Sequence, residues 1–303
     1  MPLEILILGS GSGAPLPYRH TSAQLVKIAE RFVLLDCGEA TQIRLREHQI
    51  SFSRIDTICI THFHGDHVFG LPGLLHTFNL LGRVQPLHLI ALKEVHEFVD
   101  FIFQKAGYRP NFELNKIEIP EGKNGILEFE KYTITFFPLK HRIATSGYLI
   151  REKEKPPKIK KEFIMEYQPS IDQIKEIKVG KDFITRAGQI IPNASIIIPS
   201  PEPLSYAYVT DTIYDESIIP FIKGSTCLYH EATYLSDMVN GAYEKKHSTA
   251  AEAAKIASLA GVKKLILGHF SSRYKDLTLF LEEAKQYFEE VILAEDGMKI
   301  QLK

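Results

Sequence analysis

Three histidines and an aspartate fall within six consecutive residues of this chain, His62-Phe63-His64-Gly65-Asp66-His67. Residues 55–60, just before them, form a short, β-branched and mostly apolar run, which predicts a buried strand. The polar side chains therefore stand where a strand ends. His62 and His64 are two residues apart and point to the same side of an extended backbone, while Gly65 permits a sharp turn that carries Asp66 and His67 to a neighbouring position. This division into two pairs indicates a site for two metal ions, around which the fold must close.

The alternative is that these histidines are incidental. The chain has 12 His among 303 residues, so three within six positions beside an aspartate are not expected by chance. Imidazole suits zinc, iron, nickel or copper, and the carboxylates extend the range toward manganese. The residue types alone do not choose among these metals.

Composition sets broad limits on the chain. Its 303 residues allow one large domain or two smaller ones. Lys and Arg number 36 against 37 Asp and Glu, so no global basic field indicates a nucleic-acid partner, and such a partner needs a local patch. The three cysteines are widely spaced, which favours a reduced, cytoplasmic compartment. Residues 3–8 predict a first strand rather than a signal peptide, and no apolar run approaches the roughly 20 residues that span a membrane.

Strands and helices alternate in the first third of the chain and indicate an α/β protein whose sheets are covered by helices. We predict strands at residues 3–8, 22–27, 31–35, 55–60 and 87–91, with helices at 39–47, 74–81 and 93–105. Further strands are predicted at 126–129, 132–137, 146–150, 205–210, 226–229, 263–267, 291–293 and 298–302. Later helices are predicted at 249–259, with Ser248 or Thr249 as the N-cap, and at 277–288.

Six polar residues each follow a strand-like run, and strands that all end at one edge of a sheet build a site there. They are Asp36, His62, His141, Asp211, His230 and His269. The economical assembly is one metal held by His62, His64 and His141 and a second metal held by Asp66, His67 and His269. Asp211 bridges the two, because a carboxylate has two oxygens to share. Asp36 is a candidate to orient a ligand imidazole, or else a turn or cap residue.

Two metals roughly 3.5–4 Å apart lower the pKa of a shared water and clamp the oxygens of a displacement at phosphorus. The leaving alkoxide still needs a proton, and histidine is the side chain that supplies one near neutral pH. His247 is the candidate acid, with Glu231 holding its ring. The alternative is a surface histidine before a helix and a solvated glutamate.

Two segments are candidates for substrate contact. The glycine-rich loop at residues 9–15 can cradle phosphate, or it can be a plain strand connector, and Arg19 and His20 follow it. Residues 151–186 hold ten Lys or Arg against seven Asp or Glu. This segment predicts a protruding arm, either a solvated charged face or a handle for a polyanion through Lys158, Lys160 and Lys161.

The pattern His-x-His-x-Asp-His with a distant His, Asp and His resembles the metallo-β-lactamase superfamily. Residues 35–41, His230-Glu231-Ala232-Thr233, His247-Ser248-Thr249 and residues 268–274 resemble the ribonuclease Z family of tRNA 3′-processing endonucleases more specifically. The resemblance covers nearly the whole chain. It implies an αββα sandwich, two Zn²⁺, and cleavage of precursor tRNA just beyond the discriminator nucleotide.

The resemblance also implies roles for single residues. Asp66 is a metal ligand and proton acceptor, and His247 with Glu231 is the proton-donating pair. Ser271 and Arg273 are expected near substrate phosphate, together with Arg19. Many family members carry Arg-Asn where this chain has Arg19-His20.

Family members are commonly homodimers in which the arm of one subunit clamps the tRNA that the other cleaves. Bacterial relatives have a Gly-Pro dipeptide in that arm, and residues 168–178 here have none. We therefore expect one domain over residues 1–303 with an inserted arm at about 151–186. The alternatives are a hydrolase of small phosphodiesters or thioesters and a non-catalytic RNA-binding subunit.

Overall fold

The computed structural model describes residues 3–303. In chain order, the first strands and helices are β1 (Leu3–Gly9), β2 (Ala23–Ile28), β3 (Arg31–Leu35), α1 (Thr41–Glu47), β4 (Ile55–Cys59), α2 (Gly65–Val68), α3 (Leu71–Leu80), β5 (Leu87–Ala91), α4 (Lys93–Ala106), β6 (Leu114–Glu118), β7 (Gly125–Glu128), β8 (Tyr132–Leu139) and β9 (Thr145–Glu152). They continue with β10 (Lys158–Ile159), α5 (Lys161–Tyr167), α6 (Ile171–Lys178), β11 (Phe183–Ile184), β12 (Ile190–Ile191), α7 (Asn193–Ile196), β13 (Ile197–Ile198), β14 (Ser205–Val209), α8 (Ile219–Ile222), β15 (Cys227–Glu231), α9 (Val239–Lys245), α10 (Ala250–Ala260), β16 (Leu265–Gly268), α11 (Thr278–Lys285), β17 (Val291–Leu293) and β18 (Lys299–Leu302).

Two seven-stranded sheets form the body of the protein. Their strand orders are β18-β1-β2-β3-β4-β5-β6 and β17-β16-β15-β14-β9-β8-β7. Alternate residues of β1 enter different cores: Ile5 and Ile7 pack between the sheets, whereas Leu6 and Leu8 pack under α1, α3 and α4. Both faces of β1 are buried from residue 5 to residue 8, which explains the apolar run there after the partly exposed Glu4. Helices α10 and α11 contact β15, β16 and β17, so the layers are helix, sheet, sheet and helix, and the predicted αββα sandwich is confirmed.

The parallel strands bring the polar residues to one place. In the first sheet β3 runs parallel to β4, and in the second β14, β15 and β16 run parallel to one another. Residues that follow the carboxyl ends of parallel strands lie at the same edge. Asp36 follows β3, and Asp211 and His269 follow β14 and β16.

Most predicted strands are confirmed within two residues, and the differences have local causes. The helix predicted at 74–81 begins at Leu71, because Pro72 is tolerated in a first helical turn. A short helix, α2, starts at Gly65 directly within the histidine cluster, where a turn was expected. Thr249, not Ser248, caps α10: its side chain accepts from the Glu252 N–H in a reciprocal capping box.

Residues Glu152–Pro203 form a second compact unit, which includes most of the segment 151–186 that the sequence predicts to be an arm. Phe163, Ile177, Phe183 and Ile196 make its small core. Over residues 152–203 the unit has nine Lys or Arg and eight Asp or Glu, a net charge of +1. The net charge is +3 over residues 151–186 and falls to +1 over the unit, because Arg151 lies outside the unit and Glu202 lies inside it.

Several lysines of this unit already have partners. Lys175 pairs with Asp172 at 3.1 Å and Lys181 pairs with Glu176 at 2.9 Å. The Lys160 ammonium donates to the Ser195 carbonyl at 2.6 Å. Lys158 and Lys161 are exposed. Over residues 3–303, no helix combines the length and apolar character needed to cross a membrane.

Candidate metal centre

Three of the clustered residues have a strained backbone. Asp36, Asp211 and His269 have φ values of 58°, 23° and 58°, in the left-handed region that non-glycine residues seldom adopt. Asp36 and His269 directly follow β3 and β16, and Asp211 lies two residues after the end of β14. Such strain costs on the order of 1–3 kcal/mol per residue and persists where the surroundings hold the residue in place. The fold therefore fixes these side chains at the expense of stability.

The first group of donor atoms comes from His62, His64, His141 and Asp211. His62 Nε2 lies 3.0 Å from His64 Nδ1, and His141 Nε2 lies 3.3 Å from the same atom. Asp211 Oδ2 lies 3.4 Å from His62 Nε2 and 3.5 Å from His141 Nε2. The four atoms face one another around a common centre.

The second group comes from Asp66, His67 and His269, with the other oxygen of Asp211 beside it. His67 Nε2 lies 3.3 Å from His269 Nε2. Asp66 Oδ2 is 3.6 Å from His67 Nε2 and 3.5 Å from His269 Nε2. Asp211 Oδ1 is 3.5 Å from His67 Nε2 and 3.1 Å from His269 Nε2. Asp211 thus presents one oxygen to each group.

These separations fit metal coordination. Four ligands at 2.0–2.1 Å in a tetrahedron are about 3.3 Å from one another, close to the separations within both groups. The set of imidazole and carboxylate donors is also the one that divalent transition metals take. The two groups therefore have the donor atoms and the spacing that metal binding requires.

The histidines are oriented by their other ring nitrogens. His67 Nδ1 donates to Asp36 Oδ2 at 2.8 Å, and His141 Nδ1 donates to the Lys246 carbonyl at 2.8 Å. His269 Nδ1 lies 2.9 Å from the Thr233 hydroxyl, which in turn donates to a carboxylate. With Nδ1 engaged in this way, Nε2 carries its lone pair toward the centre, the arrangement that metal-ligating histidines adopt.

The buried charges favour a bound cation. Burial lowers the pKa of His62, and burial together with the neighbouring His62 imidazole lowers the pKa of His64 to about 4. Burial also lowers the pKa of His141 to about 4, so these rings are neutral at neutral pH. Burial opposes charge on His67 as well, but the carboxylates of Asp211, Asp66 and Asp36 hold its pKa well above the ordinary value. A place that attracts a proton so strongly also attracts a metal ion.

His247 and Glu231 form a pair beside the two groups. His247 Nδ1 lies 2.9 Å from Glu231 Oε1, and Glu231 is completely buried. The carboxylate also accepts from the backbone N–H groups of Thr212 and Thr233 and from the Thr233 hydroxyl. Burial alone would lower the pKa of His247, but the Glu231 carboxylate outweighs it and raises that pKa to about 9.

The site opens into a cleft of about 320 Å³. Its lining includes His247, Arg142, Tyr234, Ser12 and Gly13 beside the donor residues. Gly65 also lines it, with no positive φ; a Cβ at this position would come within 2.5 Å of the Phe69 ring. Gly65 therefore lies close to this exposed ring and does not serve a left-handed turn.

The glycine-rich loop does not offer its N–H groups to phosphate at residues 10–13. Ser10 N donates to Asp296, Gly11 N to the His20 carbonyl and Ser12 N to the Phe270 carbonyl. Gly13 N donates to Asp66 Oδ2 at 2.7 Å. Residues 10–13 are therefore a plain strand connector and not a phosphate cradle, because each of these N–H groups already has a partner within the protein.

The predicted substrate contacts occupy different environments. Arg273 is exposed, with its guanidinium 5.3 Å from the centroid of the Tyr234 ring, and Ser271 is half-buried. Arg19 is only 6% exposed: its guanidinium reaches the Tyr274 carbonyl and lies over the Phe270 ring. In this position Arg19 holds the loop, and contact with substrate would require it to leave these partners. His230 is completely buried, and its Nδ1 bonds its neighbour's carbonyl, away from the donor groups.

Three residues that support the site were not predicted. The Tyr208 hydroxyl donates to Asp36 Oδ2 at 3.0 Å, whereas the sequence around Tyr208 indicates only an apolar strand. The Thr233 hydroxyl contacts both the Glu231 carboxylate and His269 Nδ1, and its position two residues after Glu231 is the sequence feature that could have indicated this role. Asp296 accepts from Ser10 and His20, and nothing in its local sequence distinguishes it.

Known proteins resemble this chain along its whole length. It is 40% identical over 301 residues to ribonuclease Z of Parabacteroides distasonis, covering 98% of both chains. It is 38% identical over 300 residues to ribonuclease Z of Porphyromonas gingivalis, covering 99% of both. This chain belongs to the ribonuclease Z family. The predicted resemblance to ribonuclease Z is confirmed.

Solved structures agree with the family assignment. The short form of human tRNase Z matches with a TM-score of 0.72 and 26% identity, over 99% of both chains. The metallo-β-lactamase fold protein YhfI of Bacillus subtilis matches with a TM-score of 0.71 and 20% identity, covering 99% of this chain and 100% of that one. Residues 3–109 also match the family model described as anti-Pycsar protein Apyc1. Ribonuclease Z remains the family that the full-length matches identify.

Proposed function

We propose that this ribonuclease Z family member is a zinc-dependent endoribonuclease that removes the 3′ trailer from precursor tRNA after the discriminator nucleotide. One observation carries the proposal: two groups of metal donors share Asp211 and lie beside the His247–Glu231 pair. Two Zn²⁺ per chain suit donor sets of imidazole and carboxylate at tetrahedral separations. Bound there, they would lower the pKa of a water and neutralise charge on the phosphate.

The chain's own residues supply the rest of the hydrolysis. A water oxygen bonds to phosphorus while the bond from phosphorus to the ribose oxygen breaks. Asp66 borders the cleft and is placed to accept the proton that this water gives up. The leaving ribose oxygen takes a proton from His247 Nε2. Glu231 bonds Nδ1, which fixes the ring and keeps it charged until the proton is transferred.

Substrate contacts beyond the centre follow from exposed charge. We propose that Arg273 and Ser271, next to His269 in sequence, contact phosphates near the cleavage position. Lys158 and Lys161 in the 152–203 unit are exposed and available to the tRNA backbone, with Lys160 nearby in sequence. Arg19 contributes by holding the loop. We further propose a cytoplasmic homodimer in which the unit of one subunit acts as an arm on tRNA cleaved by the other.

The deciding experiment is cleavage of a 3′-extended precursor tRNA. Protein with its metal should yield one new 3′ end directly after the discriminator, located by sequencing the product ends. Chelator should abolish the product, and added Zn²⁺ should restore it. Metal analysis of the same preparation should give two zinc ions per chain. Cleavage that persists in chelator, or product ends scattered along the trailer, would contradict the proposal.

The modest charge of the 152–203 unit favours a second candidate, a hydrolase of small phosphodiesters. A net charge of +1 with several paired lysines is a weak handle for RNA. Arg151 and Ser205 are paired neighbours in the antiparallel β9–β14 ladder. Residues 152–204 can therefore be replaced by a two-residue Asn-Gly turn.

This deletion separates the two candidates. If precursor tRNA is the substrate, the deleted protein should lose most of its tRNA cleavage and still hydrolyse bis(p-nitrophenyl) phosphate. If small phosphodiesters are the substrate, hydrolysis of bis(p-nitrophenyl) phosphate should persist, and the deletion should not lower any incidental cleavage of tRNA that the intact protein shows. A third possibility, an RNA-binding subunit without catalysis, predicts that His64→Ala leaves every activity of the protein unchanged.

A further inference from the structure

The loop between β1 and β2 runs out and back along itself. Gly11 N donates to the His20 carbonyl at 2.9 Å, and Leu16 N donates to the Arg19 carbonyl at 2.9 Å. At the base of the loop, a Cβ on Gly9 would come within 1.9 Å of the Thr21 carbonyl oxygen. The two arms therefore approach so closely that only glycine fits at this position.

The outgoing arm of the loop touches the metal centre. Gly13 N donates to Asp66 Oδ2 at 2.7 Å. The same oxygen faces His67 Nε2 and His269 Nε2. A backbone N–H has a fixed direction once its loop is fixed, so its bond orients the Asp66 carboxylate toward the second donor group.

One distant carboxylate fastens both arms of this loop. Asp296 lies between β17 and β18, and its side chain is 10% exposed. Its Oδ1 accepts from Ser10 N at 2.9 Å and Ser10 Oγ at 2.8 Å. Its Oδ2 accepts from His20 N at 2.7 Å and His20 Nδ1 at 2.8 Å. Four hydrogen bonds to one carboxylate bind the outgoing arm and the returning arm together.

We infer that Asp296 is a positioning residue for the metal centre: it fixes the loop so that Gly13 N–H holds Asp66 in the orientation that the second metal requires. The inference rests on the proposed dinuclear site. The expected effect on metal binding is confined to the second donor group, because Gly13 contacts Asp66 and no residue of the first donor group. Loss of Asp296 therefore weakens the metal at Asp66, His67 and His269 and spares the metal at His62, His64 and His141.

The contact gives the side chain of residue 20 a defined role. His20 directs Nδ1 at Asp296 instead of at the cleft. An asparagine side chain also has an N–H donor, so Asn at this position can make the same contact. An alanine cannot, although its backbone N–H still reaches Asp296. His20→Asn should therefore bind both metals as the unaltered protein does. His20→Ala should weaken the metal at Asp66, His67 and His269, but less than loss of Asp296 does.

The experiment measures metal affinity and loop exchange in Asp296→Ala. Titration with a chromophoric zinc chelator should resolve two metals in the unaltered protein, and the variant should bind one of them about tenfold or more weakly. Hydrogen–deuterium exchange of a peptide covering residues 10–20 should accelerate by a similar factor. Asp276→Ala is the matched control: its carboxylate likewise accepts from a backbone N–H and a hydroxyl, both of Thr278, but it does not contact the loop.

The outcomes are distinct. Unchanged affinity for both metals, or unchanged exchange of the loop, overturns the inference. Equal weakening of both metals also overturns it, because that result indicates a general loss of structure. His20→Ala perturbs only one of the four bonds, so it tests the same point if Asp296→Ala folds poorly. Fewer than two metals in the unaltered protein would contradict the proposed function instead, and the loop exchange would still decide whether Asp296 holds the loop.

Discussion

Replacement of His247 by alanine tests the proposed division between metal donors and proton donor. His247 is outside the two groups that share Asp211, but it lies near them: atoms of Asp211, His247 and His269 fall within 4.8 Å of one another. It could therefore be a ligand or an acid. Its Nδ1 is engaged by Glu231 at 2.9 Å, and its pKa of about 9 keeps the ring charged at neutral pH. Charged, the ring can give its Nε2 proton to the leaving group; a metal would first have to displace that proton, as it must at His67, and the zinc content of the variant decides between the two roles.

The expected loss of rate in His247→Ala depends on how readily the leaving group departs without a proton. A positioned general acid contributes about 10²- to 10⁴-fold to the rate, which is about 2.7–5.4 kcal/mol of activation free energy. His247→Ala should lower kcat for precursor tRNA by this factor, since a ribose alkoxide leaves poorly without a proton. Hydrolysis of bis(p-nitrophenyl) phosphate should change only a few-fold, because nitrophenolate leaves without one.

The assay compares both substrates and the zinc content for His247→Ala and for a matched histidine replacement. His76 on α3 is exposed and contacts Tyr108 rather than the donor groups, so His76→Ala is that control. Two zinc ions should remain in both variants. An equal loss of rate on the two substrates would refute the role as acid, and loss of zinc from His247→Ala would show that His247 is a ligand.

Three further predictions concern the surroundings of the centre. Glu231→Gln should move the alkaline limit of tRNA cleavage to lower pH, because removal of the carboxylate that raises the His247 pKa lowers that pKa; a pH–rate profile that keeps its alkaline limb would contradict this. Asp211→Asn should reduce the zinc content below two per chain, because an amide has one ligating oxygen in place of two; elemental analysis measures it, and full occupancy would show that Asp211 does not bridge. Tyr208→Phe should lower the free energy of unfolding by about 1.5–3 kcal/mol, since a buried carboxylate loses a donor; urea unfolding of the metal-free protein tests this.

Much of the fold could be predicted because the local signals agree with the tertiary structure. Residues 31–35 and 87–91 are apolar, β-branched in part and bounded by polar turns, and both strands have the predicted bounds. The donor residues were recognisable because they stand at strand ends. Parallel strands end at a common edge, so residues far apart in sequence were expected to meet, and His141 and His269 do lie with the histidine cluster.

Other features had no local signal. The end of the second compact unit at Pro203 depends on which residues pack on Phe163 and Phe183, and charge along the sequence does not report that packing. Tyr208 supports Asp36 only because the two sheets face each other there. The loop at residues 9–15 suggested phosphate binding by composition alone, whereas the partners of Ser10, Ser12 and Gly13 come from distant parts of the chain.

The strained residues show how much of the centre is held by hydrogen bonds within the protein. Asp36, Asp211 and His269 keep left-handed backbones although none is glycine, so their surroundings must outweigh that strain. Asp36 receives bonds from Thr61, Tyr208 and His67, and His269 is held by Thr233. These contacts come from both sheets, so the arrangement of the donors depends on the packing of one sheet on the other. Metal affinity should therefore depend on residues that never touch the metal, and Asp36, Thr233 and Asp296 are the ones that the hydrogen bonds identify.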